Sequence, residues 1–566
     1  MSAHLDARIG AQPPLETGGA KFGPLTRLRA RISAASRQHH IALNIALILT
    51  GFVLILGGNF LIAHYGLGLY VIGGFAAVVF GSLIVLRPPV GVYLLTVFIY
   101  LNLSNVLEVA LHIPSINKPV VALVVIAVLA NRVFLNHRPI VVTRLIGAIA
   151  LYGIVLLVSG FLAPYKDPAI NYIIDWVKDI AILIIIVQMS DDESTWKRMV
   201  WLLIICAGIE GMLSSYQVLT GNYSNQFFGL ANTSINQITE NYDGTRVLGM
   251  VSDPNYYGQI LLMVFPMAAY RAFVERNPLL RLVAIASSGF IITTVIFTYS
   301  RGAFMALLIV SALMIIERRF KLFNVIAILT VTLFVLMPFM PAGYLERLTT
   351  LEYIFQGGDA LQSEDSLKGR SSEAMVAVSM FLDHPLFGIG IANYESNYLD
   401  YSVQFGIDRR LENREAHSLY LEALAETGII GVFVLGIVFV VAFTGLQSAK
   451  AKLRSIHRED LVPYVVGAQL GLLSYLTTSL FLHNAYSRYL WQIIAVCAGA
   501  IVLADALVLR ARARERVENT TLSHEPMTVL GVPIASASQA ARSAQSGGTS
   551  PALRDGSAST LIDFDL

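Results

Sequence analysis

Charge is scarce in this chain. Lys, Arg, Asp and Glu make up only 14% of its 566 residues, where a soluble protein carries about 25%. That shortage excludes an ordinary soluble globule. Cysteine is nearly missing as well: only Cys206 and Cys497 occur, each inside an apolar run. Two such thiols give neither a disulfide framework nor a zinc spacing, and they read as inert buried groups. No excess of one sign of charge exists; the formal net charge of +2 implies no nucleic-acid partner. A cleavable leader is not evident either. About 40 polar, basic residues precede the first apolar run, and that run is too long for a signal-peptide core, so it reads as a retained anchor.

What the chain does have is apolar length. Hydrophobic residues reach 55% and the mean hydropathy is +0.64. A helix needs roughly 20 apolar residues to cross the hydrocarbon core. On that rule segments near 41–63, 67–86, 90–107, 119–135, 143–162, 171–188, 198–219, 257–274, 280–298, 302–317, 322–341, 426–446, 462–482 and 486–509 are candidates. The fold class is therefore an all-α polytopic membrane protein with about 12–14 transmembrane helices. The expected domains are a basic cytoplasmic tail (1–40), transmembrane helices (41–341, with an outer loop near 220–256), a large periplasmic loop (342–425), C-terminal transmembrane helices (426–510) and a disordered cytoplasmic tail (511–566). The last is rich in Ser, Ala, Gly and Thr with few large apolar residues, a composition that does not bury a core.

Placing the N-terminus in the cytoplasm puts Arg87, the Arg132/Arg138/Arg144 group, Lys197/Arg198, Arg271/Arg276/Arg281, Arg318/Arg319/Lys321 and Lys450/Lys452/Arg454/Arg458 all inside. The positive-inside rule favours that orientation, with both termini cytoplasmic. Within the long outer loop, SSEAMVAVSMFLDHP reads as an amphipathic helix, ended by Pro385 and the glycines of FGIGI, whose apolar face is suited to a membrane surface.

The polar residues left on the outer side decide between a channel, a transporter and an enzyme. In TYSRGAFMALL a short turn pins Arg301 at the interface. It reads either as a snorkelling arginine or as a fork that grips phosphate bidentately. In GTRVLGMVSDPNYYGQ, Arg246 precedes a helix starting near Asn255, with Pro254 in its first turn and Asp253 as N-cap. Arg370 opens the loop helix in KGRSSEAMVAV. Each of these arginines also has a plain reading as a solvated charge. His417, in REAHSLYLEALAETGIIG, is either a locally bonded interfacial residue or a general base, because imidazole titrates near neutral pH. His483, in FLHNAYSRYLW with Arg488 beside it, is its rival. Asp175, Lys178 and Asp179 share a helix face by spacing, and Glu210 follows in the next segment. Ionisable groups there mark either a self-neutralising cluster or an ion path. The motifs of metalloproteases, EF-hands and phosphate loops are not found, so no metal or cofactor is expected.

Taken in order, RVLGMVSDPNYYGQ, TYSRGAFMALL, GRSSEAMVAVSMFLDHPLFGIGIANYES and REAHSLYLEALAETGIIG resemble the O-antigen ligase and polymerase superfamily. The resemblance covers roughly 240–445. It implies a GT-C-like membrane architecture and an enzyme at the periplasmic face of the bacterial inner membrane. Such an enzyme moves a glycan from undecaprenyl diphosphate to an acceptor hydroxyl on another glycan, on lipid A core or on a protein, in O-antigen or exopolysaccharide assembly. By the same resemblance His417 is the base, and Arg246, Arg301, Arg370 and Arg414 hold the diphosphate. Three departures stand out: His417 is followed by Ser418 where the ligases often have Asn, the number of candidate helices exceeds the family's usual dozen or so, and the polar C-terminal tail is outside the family pattern. A solute or ion transporter using the Asp175/Lys178/Asp179/Glu210 group, and a non-catalytic scaffold in polysaccharide assembly, are the rival readings.

Overall fold

The computed structural model describes residues 68–111, 117–135, 137–239, 242–318, 365–404, 412–482 and 487–522. The expected segments 41–63 and 322–341, the rival His483 and most of both tails lie outside the described residues. Among the described residues the chain is all-α apart from one hairpin. Eight helices among the described residues are long and apolar enough to cross a membrane.

Helices α1 (Gly68–Leu86), α2 (Pro88–Tyr100) and α3 (Leu103–Leu111) open the described part. The expected segment 90–107 is split between α2 and α3, because Asn102 takes a left-handed φ of 48° and ends the helix run. α4 (Asn117–Leu129), α5 (Arg144–Leu162), α6 (Lys166–Met189) and α7 (Glu193–Thr220) follow. A hairpin of β1 (Asn232–Thr239) and β2 (Tyr242–Gly249) occupies the outer loop near 220–256. Half of its strand residues are Asn, Thr, Ser and Gly, without the apolar alternation that marks a half-buried strand. Then come α8 (Pro254–Val274), α9 (Pro278–Phe297), α10 (Arg301–Arg318), α11 (Asp365–Asp383), α12 (Tyr394–Gln404), α13 (Leu419–Ser455), α14 (Val462–Thr478) and α15 (Arg488–Leu522). Contacts divide the chain after Val508, and the site lies entirely before that point.

The centre of the bundle is α8, apolar on every side and buried over nearly its whole length. It packs against α7, α9, α10 and α14. A helix hydrophobic all round belongs in an interior. Cys206 and Cys497 are buried in this core.

The polar residues separate to two ends. At one end Arg132 bonds Gln188 O and approaches Asp191. There too Arg458 forks onto Glu193 at 2.8 and 2.9 Å, and Arg271 lies 3.5 Å over the Tyr464 ring. α7 leads from Glu193 to the hairpin end, about 42 Å away at 1.5 Å per residue. The hairpin end holds the candidate site.

The amphipathic loop helix is real, but its apolar stripe does not wait for a membrane. Val376, Ala377 and Met380 of α11 are fully buried against Tyr394, Tyr398, Ala416 and Ala425. Only Met375, Val378 and Leu382 face outward. The helix begins at Asp365, so Arg370 stands in its second turn instead of opening it.

Candidate active site

The cationic half of the site is built from helix starts. Asp253 caps α8 by accepting from Tyr256 N at 2.7 Å, and Pro254 takes the first helical position, where its missing N–H is no loss. Arg246 on β2 is buried beside this start. Its Nε donates to Thr298 O at 2.7 Å and its Nη2 to Asn255 Oδ1 at 3.1 Å. Thr298 ends α9, and three residues later Arg301 is the first residue of α10, also buried. Ser300 accepts from Ala303 N at 3.2 Å, the N-cap bond of α10. The starts of α8 and α10 touch closely: a methyl on Gly258 would lie 2.9 Å from Ala303 Cβ. Arg246 and Arg301 are thus held on one polar turn.

The second half surrounds His417. A buried carboxylate, Glu373 of α11, stands between two basic side chains. Its Oε1 accepts from Arg414 Nε at 2.8 Å, and its Oε2 is 3.1 Å from His417 Nδ1. The same Nδ1 is 3.1 Å from the carbonyl oxygen of Glu415. An imidazole nitrogen facing two acceptors carries the proton in the neutral ring, which makes Nε2 the basic nitrogen. Burial pushes the His417 pKa down most strongly. The Glu373 contact and charge, with the Glu415 carbonyl, outweigh it against a small opposing effect of Arg370, so the net shift is upward. His417 also holds a left-handed φ of 43°, a conformation that non-glycine residues adopt at a cost.

Contacts join the halves. Leu419 N, two residues after His417, donates to Leu482 O at 2.7 Å and Ser479 O at 3.0 Å. Phe481, beside Leu482, packs on Gly302, the residue after Arg301, where a Cβ would come within 3.0 Å of its ring. Gln259 of α8 donates to Ser479 Oγ at 2.7 Å. The starts of α8, α10 and α13 therefore meet around the end of α14, and this brings Arg246, Arg301, Arg370, Arg414 and His417 to one end of the bundle.

The four acidic and basic residues of the sixth and seventh expected segments do not form one group. Lys178 Nζ lies 2.7 Å from Asp175 Oδ1, an exposed carboxylate, and 3.9 Å from the buried Asp179. Asp179 lines a small cavity with Ile99, Arg488, Trp491 and Gln492. Glu210 is buried elsewhere, where its Oε2 accepts from Tyr257 OH at 3.4 Å. The link from Asp179 to the site runs through Arg488, which donates to Asn102 Oδ1 at 3.2 Å, while Asn102 donates to Met250 O just after β2.

Glu373 is the residue that sequence reasoning missed. Its signal was present: in SSEAMVAVSM it sits three, four and seven residues before Val376, Ala377 and Met380, on the apolar stripe. A carboxylate on a buried stripe needs partners.

Residues 286–436 match the O-antigen ligase family. A comparison with curated proteins finds no match. The matched segment contains Arg301, Arg370, Arg414 and His417, while Arg246 precedes it. The match bears out the resemblance to the O-antigen ligase and polymerase superfamily and supports a glycan ligase- or polymerase-type enzyme of a multi-pass membrane protein. It lends nothing to a transporter.

Proposed function

We propose that this chain is an inverting glycosyltransferase. It moves a glycan from undecaprenyl diphosphate to an acceptor hydroxyl at the periplasmic face of the inner membrane, without a metal. The observation that carries this reading is the meeting of an imidazole and several guanidinium groups at one end of the bundle, where helix starts gather. A transporter site belongs near the bilayer midplane. An enzyme acting on a lipid-linked donor needs its charges where the diphosphate emerges.

In this reaction His417 Nε2 takes the proton of the acceptor hydroxyl. The acceptor oxygen attacks the anomeric carbon from the face opposite the diphosphate, and the bond from that carbon to the diphosphate oxygen breaks. The products are the glycosylated acceptor, with inverted configuration, and free undecaprenyl diphosphate. Arg246 and Arg301 stabilise the charge that grows on the leaving diphosphate. Fixed cations in a water-poor site do this without reorganising. Arg370 and Arg414 flank the base and extend the anion-binding surface toward it. Guanidinium keeps its charge when partly desolvated and matches phosphate geometry, which is how the site dispenses with a divalent ion.

The test is transfer from a lipid-linked glycan donor in proteoliposomes containing the wild type, His417→Ala or Arg301→Ala at equal protein levels. Both variants are expected to lose transfer, and chelator is expected to leave the wild type unaffected. Wild-type transfer by His417→Ala would remove it as the base; a chelator-sensitive wild type would remove metal independence.

A further inference from the structure

A base at the start of a helix and beside arginines is in the wrong place to hold a proton. Its surroundings on the chain are cationic: Arg370 from α11 and Arg414 from its own segment. Ser418 directly after it stands at the N-cap position of α13 without a side-chain capping bond, and a helix start carries positive partial charge. Every one of these favours neutral imidazole and resists the imidazolium that proton transfer creates. The acidic groups on the elements packed around it are few. Glu412 is exposed and lies 3.5 Å from Arg414, Glu415 faces His417 with its carbonyl, and Glu422 stands in the first turn of α13. The end of α14, Ser479–Leu482, has no titratable side chain. Glu426 of α13 is buried as well, but its carboxylate is taken up by Ala392 N and Tyr394 N at 2.8 Å. Glu373 is fully buried and, among the described residues, is the acid that places a carboxylate oxygen 3.1 Å from the imidazole.

We infer that Glu373 is a positioning residue for His417: its carboxylate, together with the Glu415 carbonyl to which Nδ1 bonds at 3.1 Å, favours the Nδ1–H tautomer, aims Nε2 at the acceptor hydroxyl, and holds the imidazolium after the proton has moved. Arg414 is the other arm of the device. By bonding Oε1 at 2.8 Å it fixes the carboxylate plane, so that Oε2 is presented to the ring. The arrangement has a mechanical support as well. Tyr394 OH donates to the Glu373 backbone carbonyl at 2.8 Å, which ties this turn of α11 to α12. The net upward shift of the His417 pKa agrees with a carboxylate that outweighs the nearby guanidinium groups. In this scheme the proton remains on His417 until it is released to water.

The inference rests on His417 being the base, and the experiment separates the two. Transfer is measured against pH for the wild type, Glu373→Gln, Glu373→Asp and His417→Ala, each checked for monodisperse elution and protein level. With Glu373→Gln the plateau is expected to fall roughly tenfold or more. The acid limb is expected to move down by about one pH unit, because imidazolium loses its counter-charge. Glu373→Asp is expected to recover part of the plateau and to return the acid limb toward the wild-type position. A merely structural role would lower the amount of active protein without moving the limb. A second measurement needs no variant: diethyl pyrocarbonate modifies neutral imidazole, and its rate at His417 against pH, read by peptide mass spectrometry, gives the wild-type pKa. A midpoint above about 6.5 is expected. The inference is overturned by an unmoved acid limb in Glu373→Gln, or by a His417 midpoint at or below the ordinary value. If instead His417→Ala transfers normally, the base assignment itself has failed.

Discussion

Replacing Gly428 by Ala strikes the joint that holds the loop helices against the membrane bundle. Gly428 lies inside α13 at φ 63° and ψ −167°, a region open essentially to glycine alone and worth about 1–3 kcal/mol of strain for any other residue. The break in the helix leaves backbone groups without helical partners, and the 385–390 turn supplies them. Ile429 N donates to Pro385 O at 2.9 Å and Ile430 N to Leu386 O at 3.3 Å. In return Ile389 N donates to Ala425 O at 2.8 Å and Gly390 N to Glu426 O at 3.2 Å. A Cβ at 428 would lie 2.5 Å from both C and O of Leu386 and 2.7 Å from Gly388 N. All three are backbone atoms that cannot swing aside, so the turn must move. Losing two or three of the four bonds, at about 1 kcal/mol each, brings the total to roughly 3–6 kcal/mol with the strain. The turn follows α11 directly, so Glu373 moves with it, and a misplacement of about 1 Å near the chemistry costs on the order of a hundredfold in rate. The assay is thermal unfolding in detergent together with glycan transfer, with Gly436→Ala as control. Gly436 lies in the same helix, and a Cβ there meets nothing within 4 Å. Gly428→Ala is expected to unfold several degrees lower and to lose most of its transfer; if it melts and transfers like Gly436→Ala, the account of this joint is wrong.

Arg246→Ala removes one cation from the leaving-group side and is expected to slow transfer by about 10²–10³-fold, or about 2–4 kcal/mol of barrier. Arg246→Lys is expected to recover little, because a single ammonium cannot reach both Thr298 O and Asn255 Oδ1 as the guanidinium does; recovery to wild-type rates would contradict this. For the wild type, transfer is expected to rise with pH through a midpoint above the ordinary histidine value, since the base works neutral and His417 is shifted upward. A rate that falls over that range would exclude His417 from the role. Asp175→Asn breaks an exposed pair with Lys178 and is expected to change stability by less than about 1 kcal/mol while leaving transfer intact; loss of transfer with normal folding would return the α6 charges to the site.

Much of the scaffold was legible because the membrane imposes length on apolar runs. The start of α8 was legible to within a residue, since Asp253 and Pro254 are a cap and a first-turn residue whatever the tertiary context. The hairpin was not, because its strands hold Asn, Thr and Ser in place of an alternating apolar face. Nor was the break at Gly428. A glycine in an apolar helix is an ordinary event, and only the 385–390 turn, distant in sequence, gives it a reason. The basic residues of the site were readable one by one as charges in costly places. Glu373 was passed over because it lies among SSEA, where an acid reads as the solvated flank of an amphipathic helix. Its partners, Arg414 and His417, come from the far side of the loop, and no local pattern announces a pairing made by tertiary structure.

The placement of the charges follows from one electrostatic fact. Each helix start leaves up to four backbone N–H groups without helical acceptors and a partial positive charge. A diphosphate gains from several such starts at once, and α8 and α10 meet at Gly258 and Ala303, with Arg301 at the start of α10 and Arg246 of β2 bonded to the end of α9 beside them. The same field works against a general base at the start of α13, because protonation adds a cation where cations already gather. An enzyme using this geometry has to separate the two demands within one pocket. Glu373 does so by its burial: a carboxylate removed from water acts at short range on the imidazole 3.1 Å away and on Arg414, while Arg246 has its own neutral acceptors at Thr298 and Asn255. Anion binding and proton acceptance are then tuned by different residues, so substitutions at Glu373 should move the pH profile, and substitutions at Arg246 should change the rate at every pH without moving it.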